Sequence, residues 1–165
     1  MSEPNKELLL PEGTVATECF LIKGNQVLLG LKKRGFAAGK LLGPGGKTQN
    51  NETSEQCAIR ETEEEIGVKL VNPKKVGHIN FFYWENDQQT SQQVDFYLAD
   101  EWSGEPKETD EFIPKWFQKD QIPLDQLPAA NCVFVPQLVS GKQVSGNLVF
   151  DKQWNVVSNQ LTIEK

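Results

Sequence analysis

The chain has 165 residues, 38% of them hydrophobic and 24% charged, enough apolar material for one packed domain. Its 23 acids against 17 bases leave a net charge of −6, which argues against a binder of duplex nucleic acid, because that role needs a basic face. No uninterrupted apolar run exceeds four residues, which excludes a membrane helix, and MSEPNKELLL does not read as a secretory signal.

Residues 1–12 are polar, hold two prolines and read as an N-terminal tail ahead of a single domain at 13–165. Thr14–Lys23 reads as a strand, Gly24-Asn25 as a hairpin turn and Gln26–Lys32 as the partner strand. A loop with five glycines follows (Gly35, Gly39, Gly43, Gly45 and Gly46), a density that lets a ligand approach the backbone. Thr53 and Gln56 then form a capping box and Gly67 a left-handed C-terminal cap, so a helix is expected over Ser54–Ile66. Lys75–Trp84 and Gln92–Ala99 are strand-like, joined by the polar stretch ENDQQTS. Phe112–Gln118 is a further strand, placed at an edge or bulge by Pro114. Asp120–Ala130 reads as loop with a short turn, Cys132–Val139 as a short helix limited by Pro136, and Gly146–Asp151 with Trp154–Ile163 as a closing hairpin. Strands, one strong helix and more strands favour an α+β fold.

Three widely spaced cysteines, Cys19, Cys57 and Cys132, make neither a disulfide framework nor a CxxC site, which suits a reducing cytoplasm. One histidine, His78, excludes multi-histidine zinc centres, and it reads as a strand residue outside the chemistry. The charge is concentrated: Glu52–Glu65 holds six acids and one base, nearly all of the chain's excess. Glu61, Glu64 and Glu65 stand at i, i+3 and i+4, so their carboxylates share one helix face in the last turns. Mutual repulsion and the helix dipole both disfavour them there. A bound hard cation removes both penalties, and a set without Cys or His suits Mg²⁺ or Mn²⁺. The bland alternative is a solvated acidic face. The glycine loop just upstream favours the metal, as a seat for a metal-bound phosphate.

Gly46, five residues, Glu52, seven residues, then Arg60-Glu61-Thr62-Glu63-Glu64-Glu65-Ile66-Gly67-Val68 resembles the signature of the Nudix hydrolase family. Thr62 departs from it, standing where a bulky aliphatic is usual, and a local packing cost is expected. LKKRGFAAGK, GGK, VGHINFF and TDEFIPKWFQKDQIP extend the resemblance to the MutT-type 8-oxo-dGTP diphosphatases of vertebrates, in patches over 14–164. The resemblance implies the Nudix fold, an α/β/α sandwich around a mixed sheet. It further implies a Mg²⁺-dependent pyrophosphohydrolase that converts a nucleoside triphosphate to the monophosphate and pyrophosphate. The same site also suits an NDP-sugar, a dinucleoside polyphosphate or a capped RNA end, or a nucleotide sensor without turnover. Retention of every box glutamate speaks against the sensor.

Carried over residue by residue, the metal ligands are Glu61, Glu64 and Glu65, a carbonyl from Gly45 or Gly46, and Glu111. Arg60 is expected to pair with Glu52, the alternative being a surface pair with Glu64. Lys32 and Lys47 are candidates for substrate phosphates, and Phe36, Phe81 and Tyr83 for the aromatic wall of the base pocket. Leu42, Leu127 and Ala130 fall where the resembled enzymes carry polar or aromatic base-reading groups. The sequence therefore predicts weak discrimination between an oxidised purine and its parent, with Asn131, Asn80 or Asp95 as possible polar substitutes. The expected partner is a small nucleotide alone, bound by a monomer, with no membrane and no duplex.

Overall fold

The computed structural model describes residues 15–165; the expected tail at 1–12 lies outside the described residues. The first strands are β1 (Val15–Lys23) and β2 (Gln26–Lys32), an antiparallel hairpin as expected. A two-residue strand, β3 (Leu41–Leu42), pairs with β2 beyond the end of β1. Helix α1 spans Ser54–Ile66, with both halves of the capping box formed by Thr53 and Gln56. Gly67 closes it at φ 78°, a conformation that a side chain disfavours.

The remaining strands are β4 (Lys69–Leu70), β5 (Lys74–Glu85), β6 (Gln88–Ala99), β7 (Trp102–Ser103) and β8 (Phe112–Gln118). Helix α2 (Asn131–Val139) follows two short 3₁₀ turns, and β9 (Gln143–Phe150) and β10 (Val156–Glu164) end the chain. The main sheet runs β10-β9-β5-β6-β1-β2-β3, with β8 on the free side of β2. β1–β6 and β5–β9 are parallel and the other pairs of this sheet antiparallel, so the sheet is mixed. β4 and β7 make a separate small ribbon.

Two expectations need correction. Residues 88–91, taken as part of a polar connection, instead extend β6, and the turn is only Asn86-Asp87, both at positive φ. A two-residue turn of this hand matches the twist of the flanking strands, so the polar residues beyond it pair rather than loop. Helix α2 carries Pro136 in its interior and starts one residue before the expected Cys132. Burial of Phe134, Val135, Leu138 and Val139 offsets the lost backbone bond.

The sheet divides the core. One cluster, with Cys19, Leu21, Leu28 and Tyr97, lies under α1 through Ala58 and Ile66. The other, with Phe20, Leu29, Ile79 and Phe96, lies under α2 through Phe134 and Leu138. Trp102 and Trp116 stack at 6.1 Å against the α1-side cluster, where they serve packing. Strand alternation therefore decides which β1 side chain faces which layer.

Candidate active site

β2 covers only the far end of β1, pairing from Leu21 onward, which leaves the edge of residues 15–19 open. The glycine loop fills that edge. Thr17 N–H donates to the Gly46 carbonyl, Cys19 N–H to Pro44 and Thr48 N–H to Val15, each at 2.8 Å. The fit admits no side chain on the loop: a methyl on Gly45 would overlap the Thr17 carbonyl, and one on Gly46 the Glu61 carboxylate. The loop thus lies directly on α1, and the Gly45 N–H donates to Glu65 Oε1 at 2.7 Å.

Glu61 and Glu65 are therefore brought together against the loop backbone, Glu65 nine-tenths buried. Burial pushes the Glu65 carboxyl up to about 8; Gly45 N–H and Lys32 hold it down, and the Glu61 and Glu111 carboxylates push it further. Burial likewise raises Glu61, opposed by Arg60 and reinforced by Glu64. One buried and one half-buried acid with raised pKa values and a cramped oxygen-lined floor match a hard divalent cation. Of the two candidate carbonyls, that of Gly46 is occupied by Thr17, whereas that of Gly45 accepts no hydrogen bond among the described residues.

Arg60 joins the box together. Its Nε and Nη2 grip Glu52 at 2.7 and 3.0 Å, Nη1 reaches Glu64 at 2.9 Å and Glu61 at 3.2 Å, and Nη2 also meets the Lys47 carbonyl. Both sequence alternatives for Arg60 thus hold at once. Its hydrogen bonds are the main cause that holds Glu52 down to about 2. Glu64 is exposed and turned onto Arg60, and Glu111 is paired with Arg34 at 2.8 Å. Consequently no three side-chain donors are gathered as a metal cluster among the described residues. Glu111 nevertheless belongs to the neighbourhood: Thr109 Oγ1 donates to the Glu65 carbonyl at 2.7 Å and accepts the Glu111 N–H at 3.2 Å.

Thr62 is fully buried, and its Oγ1 makes no hydrogen bond of good geometry, although it lies near enough to Cys19 to act on that thiol. The packing cost expected at this position is an orphaned hydroxyl.

The base-pocket candidates are divided. Leu127 and Ala130 are buried in the α2-side cluster, with Phe81 and Tyr83 packed against it. Leu42 packs against the α1-side cluster, away from them. Phe36 is 69% exposed and meets Trp154, which stacks on Tyr83 at 5.3 Å. Trp154 comes from the turn between β9 and β10, at φ 64°, and no signal short of that turn's geometry singled it out. Lys32 is half-buried between Glu18 and Glu65, whereas Lys47 is exposed. Asp95 is engaged by His78 and Lys75, far from a base-reading role. An open cleft of about 370 Å³ beside His78 contains none of the box residues.

Glu18 was missed. It stands on β1 beside Gly43, whose N–H donates to Glu18 Oε2 at 2.9 Å. Burial pushes this carboxyl up to about 7, against the Gly43 bond and Lys32. Alternation along β1 was the available signal: an acid sits where the pattern demands a core residue.

Comparison with known proteins agrees with this geometry. The chain is 39% identical over 146 residues to the oxidized purine nucleoside triphosphate hydrolase of Danio rerio, covering 88% of this chain and 92% of that protein. It is 33% identical over 97 residues to the 8-oxo-dGTP diphosphatase of Haemophilus influenzae, covering 59% and 68%. The fold matches the MutT protein of Bacillus halodurans with a TM-score of 0.78 at 24% identity, over 90% of this chain and 97% of that one. Nudix hydrolases generally use a divalent metal. The NUDIX domain model matches residues 13–138, and with these relatives it shows that the chain belongs to the Nudix hydrolase family.

Proposed function

We propose that the protein is a Mg²⁺-dependent (or Mn²⁺-dependent) pyrophosphohydrolase of purine nucleoside triphosphates, oxidised purines among them, releasing the monophosphate and pyrophosphate. The observation that carries the proposal is the convergence of Glu61 and Glu65 on the Gly45–Gly46 backbone. Its relatives' activity on oxidised purine nucleotides supports the substrate class. Glu61, Glu65, the Gly45 carbonyl, and Glu64 and Glu111 from their arginine pairs would hold the metal. A divalent cation there neutralises phosphate charge and makes an attacking water more acidic.

The chain's own residues supply the rest. Arg60 fixes Glu52 and the helix face, so that the carboxylates do not splay. Lys32, between Glu18 and Glu65, offers a point charge to phosphate. Phe81, Tyr83, Phe36 and Trp154 supply apolar area for the nucleoside, backed by the buried Leu127 and Ala130. The domain at 13–165 acts as a monomer in the cytoplasm, with no nucleic-acid duplex as partner. Among the described residues no helix is long and apolar enough to cross a membrane.

The test is product analysis with dGTP and 8-oxo-dGTP in Mg²⁺. Monophosphate and pyrophosphate in equal amounts support the proposal. Stepwise orthophosphate release, or turnover confined to NDP-sugars, dinucleotides or capped RNA, overturns it.

A further inference from the structure

Glu18 is a partly buried acid on a strand whose neighbouring side chains are core. Cys19 and Leu21 belong to the α1-side core and Phe20 to the α2-side core, so Glu18 faces the α2 layer. In the parallel register it stands beside Phe96, also of that layer. One carboxylate oxygen takes the Gly43 N–H; the other has no hydrogen bond or ion pair among the described residues. Glu18 is only partly buried, and its second oxygen is not sealed away from the surface, so it is open to a ligand. Across the same layer stands Asn131, buried on the inner face of α2 with Phe134 and Val135. Its side-chain amide makes no hydrogen bond among the described residues either. Two polar groups with unused capacity thus face the layer that also holds Phe81, Tyr83, Leu127 and Ala130. Through Gly43 this place adjoins Gly45 and the carboxylates.

We propose that Glu18 is a specificity-determining residue for the nucleobase. Its free oxygen accepts an N–H from the base edge and thereby selects guanine-type purines, oxidised or not. In its ionised form, which prevails well above pH 7, Glu18 rejects adenine, whose corresponding edge position is a lone pair and leaves both acceptors unpaired. Asn131 offers an amide N–H to the neighbouring base carbonyl. The inference rests on the nucleoside triphosphate reading above and deepens it. A base-edge N–H common to guanine and its oxidised form would then be read alike in both.

The experiment measures kcat and KM for dGTP, 8-oxo-dGTP, dATP and dTTP in alkaline buffer, where Glu18 is ionised, on the full chain and on Glu18→Gln and Glu18→Leu, each checked by thermal melting. Glu18→Gln keeps volume and an acceptor for Gly43. We expect the wild type to prefer the guanine nucleotides. Loss of the charged acceptor lowers their kcat/KM about 10- to 100-fold relative to dATP, mainly through KM. Glu18→Gln, which presents an amide N–H, improves dATP relative to dGTP. An unchanged base ranking in both variants overturns the inference; so does a uniform loss over all four nucleotides, the result expected if Glu18 merely holds Gly43. A wild type that cleaves all four without preference overturns it alone, whereas one that cleaves none overturns the triphosphate reading with it.

Discussion

Removing one charge from the metal-free site should stabilise the protein. Glu65 has a folded pKa of about 8 against an ordinary 4.5. Between those values the folded state retains a proton that the unfolded chain releases. This group's contribution to stability therefore falls as pH rises from 4.5 to 8, by about 3 kcal/mol at pH 7. Glu65→Gln keeps the side-chain volume, keeps an acceptor for the Gly45 N–H and removes the titration. In a chelator at pH 7 its melting temperature should exceed that of the wild type by about 6–12 °C, and the gap should close near pH 4. Saturating Mg²⁺ should reverse the order, because the cation stabilises the folded wild type that binds it. Turnover should fall by orders of magnitude. The reasoning fails if the metal-free variant melts at or below the wild type at pH 7, or if the gap does not widen from pH 5 to 8.

The same titration predicts that the Mg²⁺ concentration for half-maximal turnover falls between pH 7 and 9, as the proton on Glu65 ceases to compete; a flat titration would show that Glu65 does not hold the cation. Thr62→Val fills the same volume and deletes the orphaned hydroxyl, so melting should rise by about 2–4 °C, for about 1 kcal/mol, with kcat unchanged. Arg60→Lys keeps one charge but cannot grip Glu52 while holding Glu64. We expect at least a tenfold loss of kcat, and a stability loss of about 1 kcal/mol because the pairs are partly solvated. Glu52 is held down to about 2, so that margin is present above pH 4.5 and disappears as pH falls towards 2, which acid titration of both proteins would read.

Helix α1 was legible to the residue because its signals are local: Thr53, Gln56 and Gly67 satisfy helix ends within a few positions of themselves. The approach of Glu61 and Glu65 to one another was legible for the same reason, since helical spacing puts them on one face, whereas Glu64 of the same set is exposed and turned onto Arg60. What stayed hidden depends on distant partners. β3 exists because Leu41 and Leu42 pair with Leu31 and Gly30, and two residues carry no periodicity. Glu18 meets Gly43 only once the glycine loop has filled the open edge of β1. Leu42 falls where the resemblance implies a base-reading group, but the register with Gly30 turns it towards α1. The engagement of Glu64 and Glu111 by the chain's two arginines was half visible: Glu64 lies one turn from Arg60, whereas Arg34 reaches Glu111 across the fold.

The parallel pairing of β1 with β6 sets Val15 opposite Gln93 and Leu21 opposite Ala99, and the whole box lies in the segment between them. The β5–β6 hairpin is a local structure that closes within microseconds, but joining β1 to it closes a long loop, which slows the fold. A chain growing from its N-terminus has every box residue in hand once residue 68 is made. It has no partner for β1 until β6 emerges some thirty residues later, and no α2 to cover the other face until later still. During synthesis the carboxylates are therefore a dispersed charge on a marginal helix, and Glu61 and Glu65 come to rest against the Gly45–Gly46 backbone only when the sheet closes.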